Sequence, residues 1–176
     1  MGLFRKKKVA VLVDGPNLLR KEFYLDLNVV RKEAKTLGDV DVMRVYFDRY
    51  ATPEIKRVTK SLGYSAVNVE GSVKVALSID GVELSKRDDI KVVVIATRNT
   101  SYLPLIHSIK LNGKEAWVFG SEPGFSVALQ RAANGVFHYD PAFGTTQEEL
   151  ARREAFLVSA FFTMMVDILA IFLLFI

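Results

Sequence analysis

Asp14 and Asn17 close a run of five apolar residues, 9–13, near the start of the chain. A carboxylate and a carboxamide at the end of a buried strand can hold a hard cation, orient a water or accept from a substrate hydroxyl. Asp80 is the second candidate. It falls within the stripe Val73, Ala76, Leu77 and Leu84, which has helical spacing. A carboxylate on such a face needs a hydrogen-bonding partner or a metal. The third group is the polar run after the most hydrophobic strand: Thr97, Arg98, Asn99 and Ser101. Asn99 and Ser101 can coordinate or donate, and Arg98 with Lys74 could hold an anion. Asp48 and Glu70 end two further strands and could add negative charge. Each position also has a plainer role. Asp14 with Gly15 and Pro16 makes a turn and a helix cap, and Asp80 could sit at the rim of its helix.

The elements that position these groups read as alternating strands and helices. Strands are expected at 9–13, 40–47, 64–69, 91–96, 115–119 and 136–139. Helices are expected at 29–37, 53–62, 73–86, 102–111 and 125–133, after a mixed stretch of helical character at 18–28. The first strand is apolar without alternation, as in parallel sheets covered on both faces. Such sheets bind ligands beyond the carboxyl ends of their strands. The expectation is therefore a three-layer α/β domain with a mainly parallel, Rossmann-like sheet.

Composition removes several chemistries. With no cysteine there is no disulfide, thiolate metal site or cysteine nucleophile. His107 and His138 are too far apart in sequence to read as a zinc pair. Lysine and arginine exceed aspartate and glutamate by 24 to 20, and Arg5, Lys6, Lys7 and Lys8 account for the whole excess. The body is then close to neutral, which does not indicate a general nucleic-acid face. Residues 1–8 read as a basic arm, either solvated or touching anionic lipid or phosphate. The basic start runs straight into a strand, so no signal peptide is expected.

After residue 140 the character changes. Residues 141–155 read as a linker and helix start, with Thr145 or Thr146 as cap. The 21 residues 156–176 carry one charge, Asp167. As a helix they span about 31 Å, the thickness of a hydrocarbon core. This predicts a single-pass C-terminal anchor, with Arg152 and Arg153 keeping the body cytoplasmic. The alternative is a terminal helix buried in a dimer. Ser159, Thr163 and Asp167 recur every four residues on one helical face. A mid-membrane carboxyl costs about 2.5–3.5 kcal/mol on insertion scales. That seam is therefore expected to face a second copy or a partner membrane helix.

Five stretches in order then carry a resemblance: VDGPN at 13–17, GSVKVALSID at 71–80, VVVIATRNTSYLPL at 92–105, NGKEAWVFG at 112–120 and EPGFSVALQRAA at 122–133. Together they resemble the NYN domain, a branch of the PIN-like nuclease superfamily, over residues 9–140. They are similar to an archaeal group of uncharacterised NYN proteins. Active members of that superfamily cleave RNA with Mg²⁺ or Mn²⁺ held by acidic side chains. The resemblance carries Asp14, Asn17 and Asp80 over as retained positions. It also implies acids where this chain has Lys74, Asn99, Ser101 and Asn134. Two carboxylates, Asp14 and Asp80, hold a divalent ion weakly at best, and an inward ammonium would replace it.

The expectation is thus a PIN-like domain whose Asp14 and Asp80 are residual, with no resident metal. Asn17, Lys74, Thr97, Arg98, Asn99 and Ser101 would line its pocket. It would act as a membrane-held scaffold or as an RNA- or protein-binding module. One alternative is a membrane-tethered ribonuclease using Mg or Mn, with Asp14 and Asp80 as metal ligands. The other is a nucleotide or phosphate sensor.

Overall fold

The structure is a computed structural model that describes residues 6–19, 25–121, 124–140 and 145–146. In the C-terminal segment it describes 151–152, 155, 158–159, 162 and 164–165. β1 (Lys8–Asp14), β2 (Asp39–Phe47), β3 (Ser65–Asn68), β4 (Ile90–Ala96), β5 (Glu115–Ser121) and β6 (Gly135–Asp140) pair in parallel. β7 (Thr145–Thr146) pairs antiparallel with β6. The sheet order is β3-β2-β1-β4-β5-β6-β7, so the direction of winding reverses between β1 and β4.

Side chains alternate across the sheet and divide the core in two. Val9, Val11 and Val13 of β1 face one side with α2 (Leu27–Leu37), where α3 (Pro53–Ser61) adds Ile55. Ala10 and Leu12 face the other side, with α4 (Val73–Lys86), α5 (Leu103–Leu111) and α6 (Val127–Ala132). Thr52 caps α3 by accepting from the Ile55 amide at 3.3 Å. Asp26 caps α2 by accepting from the Asn28 amide at 2.8 Å. Each carboxylate or hydroxyl satisfies an amide that the helix leaves without a partner.

The structure departs from the sequence expectation in several places. Within the stretch 18–28, the single turn α1 (Gly15–Leu18) ends at Leu18 and α2 starts at Leu27, while residues 20–24 lie outside the described residues. A turn of 3-10 helix, Thr100–Tyr102, precedes α5. Thr145 and Thr146, expected as a helix cap, are strand, because pairing with Tyr139 and Asp140 satisfies a backbone edge that β6 would otherwise expose. Lys8 belongs to β1 rather than to a free arm. Its ammonium lies 3.1 Å from Asp41 and 2.9 Å from Asp89, while Lys7 pairs with Glu115. Part of the basic cluster is therefore neutralised at the amino edge of the sheet. Among the described residues no helix is long and apolar enough to cross a membrane. Ser159 lies in a described helical position. Thr163, Asp167 and residues 166–176 of the expected anchor lie outside the described residues.

Gly135 is held by close packing. A β-carbon there would stand 2.4 Å from the Trp117 ring, which stacks on Phe137 at 5.1 Å. Gly135→Val is expected to destabilise the domain by about 1–3 kcal/mol by displacing that stack. Urea unfolding should show a lower midpoint at unchanged slope.

A candidate ligand cleft where the sheet reverses

The reversal between β1 and β4 opens the sheet at its carboxyl edge, as the connections leave to opposite sides. β1 delivers Asp14 to this opening. Gly15 follows because a β-carbon there would meet the Tyr46 carbonyl oxygen at 2.5 Å. Pro16 then starts the single turn of α1. The Asn17 side-chain oxygen accepts from the Arg98 amide at 2.9 Å, tying α1 to the end of β4. The resulting cleft is about 570 Å³ and is lined by Asp14, Asn17, Asp48, Glu70, Lys74 and Asn99, together with Arg49 and Tyr50.

Asp14 is 4% exposed. One of its oxygens accepts from the Tyr102 hydroxyl at 3.0 Å and from the Thr97 hydroxyl at 3.4 Å. Burial raises its carboxyl above the ordinary value. Bonds from Tyr102, the Asn17 backbone amide and Thr97, and the charge of Lys74, oppose that rise without cancelling it. The Tyr102 phenol is itself pushed up, chiefly by burial and then by the facing carboxylate.

The other expected positions separate into two groups. Lys74, at the exposed start of α4, lines the same cleft as Asp14. Asn99 lines it too, but its side-chain oxygen accepts from the Ser101 amide at 3.0 Å and so caps the 3-10 turn. Thr97 is fully buried beneath the cleft, where its hydroxyl also accepts from the Asn99 amide at 3.1 Å. Arg98 and Ser101 are not among the residues that line this cleft. Asp48 and Glu70, noted as strand-end acids, do line the cleft.

Asp80 stands apart from this opening. It lies seven residues into α4 from Val73, roughly 10 Å along the axis. Its carboxylate accepts from the Arg44 guanidinium at 2.7 Å and the Tyr46 hydroxyl at 2.6 Å. Arg44 and Tyr46 alternate on β2 and project toward α4. Asp80 is therefore balanced by a cation from β2. Reading the sequence did not single out Arg44, Tyr46 or Tyr102. Their signal was a polar tip inside or beside an apolar run. Among the described residues no three of His, Asp and Glu are grouped so as to hold a metal ion.

A doubly wound sheet with an acid at the reversal point defines a Rossmann-like α/β protein with its cleft at the carboxyl edge. The NYN domain model matches residues 8–141, and the chain belongs to that family. It is 36% identical over 154 residues to an uncharacterized protein of Methanocaldococcus jannaschii. That match covers 85% of this chain and 64% of the relative, so the chain spans under two thirds of that protein's length. The crystal structure of a protein of unknown function from Vibrio parahaemolyticus superposes with a TM-score of 0.70 at 19% identity. It covers 83% of this chain and 99% of that one, and shares the fold.

Because burial raises the Asp14 carboxyl, its ionisation opposes folding. The folded protein binds this proton more tightly than the unfolded chain. The cost is absent below the unfolded value and complete once pH exceeds the folded value. Asp14→Asn keeps an oxygen for Tyr102 and removes the charge. It should raise stability at pH 7 by about 1 kcal/mol, roughly 2–4 °C in melting temperature. Thermal melts across pH should show this gain shrinking as pH falls through the carboxyl range.

Proposed function

We propose that this chain is an NYN module that binds single-stranded RNA in the cleft without cutting it. The carrying observation is that the retained acids already have partners within the protein. Asp14 is buried against Tyr102 and Thr97, and Asp80 is paired with Arg44. A resident Mg²⁺ or Mn²⁺ requires several anionic oxygens converging on one point. The donors described do not fit that requirement, and the Lys74 ammonium lies in the same cleft. Lys74 and Arg49 can meet phosphate, and the carboxamides of Asn17 and Asn99 can donate to ribose or phosphate oxygens.

A metal-dependent endoribonuclease is the second reading. It is favoured by Asp48 and Glu70, which line the same cleft as Asp14. Calorimetric Mn²⁺ titration and incubation with labelled single-stranded RNA separate the two. The binding reading expects salt-sensitive RNA affinity and no Mn²⁺-dependent cleavage. Lys74→Ala should then weaken binding about 3–10-fold and lower the salt slope by about one. Mn²⁺-dependent cutting that Asp14→Asn abolishes would establish the nuclease instead.

The hydrophobic run 156–176 supports a further part of the proposal: attachment to a membrane, with the domain on the cytoplasmic side and Ser159, Thr163 and Asp167 at a helix–helix contact. Deleting 156–176 should move the protein from the membrane pellet to the soluble fraction after alkaline washing. Recovery of the intact chain in the soluble fraction would remove the tether from this reading.

A further inference from the structure

The side of the sheet that carries α2 is only partly covered by the described helices. α2 packs on β1, β2 and β4, and α3 on β3, whereas α4, α5 and α6 belong to the opposite side. Connectivity imposes this. Right-handed crossovers from β1 to β2 to β3 put their helices on one side, and those into β4, β5 and β6 use the other. Yet β5 and β6 turn four aromatic rings toward the α2 side: Trp117, Phe119, Phe137 and Tyr139. They form a row, with Trp117–Phe137 at 5.1 Å and both Phe119–Phe137 and Phe119–Tyr139 at 6.0 Å. Tyr139 meets the start of α2, its hydroxyl accepting from the Asp26 amide at 3.4 Å. Phe119, Phe137 and Tyr139 are all buried, although α2 packs mainly on β1, β2 and β4 and α3 on β3.

A second observation comes from α2. Glu33 shares its inner stripe with Val29, Val30 and Ala34 and is fully buried. Both of its carboxylate oxygens accept from one guanidinium nitrogen of Arg152, at 2.7 and 2.8 Å. A carboxylate so removed from water needs such a partner. β7 ends at Thr146, at the sheet edge beside β6, six residues before Arg152. Arg152 is helical, and α2, which carries Glu33, packs on β1, β2 and β4. In the sheet order β6 and β5 lie between β7 and those strands, so they stand in the path from Thr146 to Glu33.

We infer that the aromatic face of β5 and β6 is the docking site for this chain's own segment after Thr146, locked by Arg152 on Glu33. The segment supplies the cover that the crossover topology leaves out. Whatever follows it then departs from a fixed place on the domain rather than from a loose linker.

Trp117 is the only tryptophan in the chain and reports on this face. Two measurements on the full chain in detergent test the docking: hydrogen exchange at residues 147–152 and acrylamide quenching of Trp117. Those amides should exchange at least about tenfold more slowly than free chain. Arg152→Glu should make Trp117 several-fold more quenchable, and combining it with Glu33→Arg should restore the native value. Free-chain exchange rates would overturn the inference, as would quenching that ignores Arg152→Glu in a folded protein. Trp117 protection that is lost on dilution would assign the face to a second copy and overturn it equally. Should Arg152→Glu fail to fold, hydrogen exchange of the native chain decides alone.

Discussion

A carboxylate at the reversal point of a parallel sheet is pulled two ways. The strand that delivers it is buried on both faces, so the surroundings disfavour charge. The opening beyond the strand end, however, is where a polar ligand can reach the backbone of two strands at once. Asp14 sits at this boundary. Tyr102, Thr97 and the Asn17 amide supply hydrogen bonds that soften burial without abolishing its cost. Much of the local architecture follows from this compromise. Gly15 allows the chain to turn against the Tyr46 carbonyl, and Asn17 fixes the end of β4 through the Arg98 amide.

The course of α4 gives Asp80 a partner of its own. A helix that follows β3 and crosses to β4 must run down the sheet, away from its carboxyl edge. Only the first turn of α4 touches the opening, and that turn carries Lys74. Two turns further in, Asp80 faces β2, where Arg44 and Tyr46 present a guanidinium and a phenol. An acid there is part-buried and stable only because it is paired. Keeping Asp80 therefore maintains the contact between α4 and β2, whatever the cleft binds.

The legible parts of the sequence were those written in contiguous residues. β1 and β4 announce themselves as unbroken apolar runs, and α4 by its spacing between Ser72 and Arg87. Asp14, Asn17 and Asn99 were visible because each stands at the end of such a run. Asp48 and Glu70 were visible for the same reason. Tyr102 and Arg44 were not, since their roles depend on residues 88 and 36 positions away. β7 was missed because two threonines carry no pattern, and their pairing with Tyr139 and Asp140 is a property of the sheet edge. Glu33 was missed although it had a signal: an acid between Val30 and Ala34 on a stripe that is otherwise apolar. Its partner Arg152 is 119 residues away.

Charge is distributed between the two ends of the sheet in opposite ways. At the amino edge, Lys8 and Arg87 share Asp41 and Asp89, and Lys7 meets Glu115. Hydrogen bonds from Arg87 and Lys8 hold the Asp89 carboxyl well below its usual range. These groups are part-exposed, so their worth lies mainly in pinning strand ends rather than in stability. At the carboxyl edge, Asp14, Asp48, Glu70, Lys74 and Arg49 line one opening, and no ion pair joins them in the contacts described. Charges that satisfy one another offer little to a ligand, whereas charges of both signs held apart on a rigid rim can each take a complementary group from it. That contrast is the observation on which the proposed binding at the carboxyl edge, rather than at the more basic amino edge, rests.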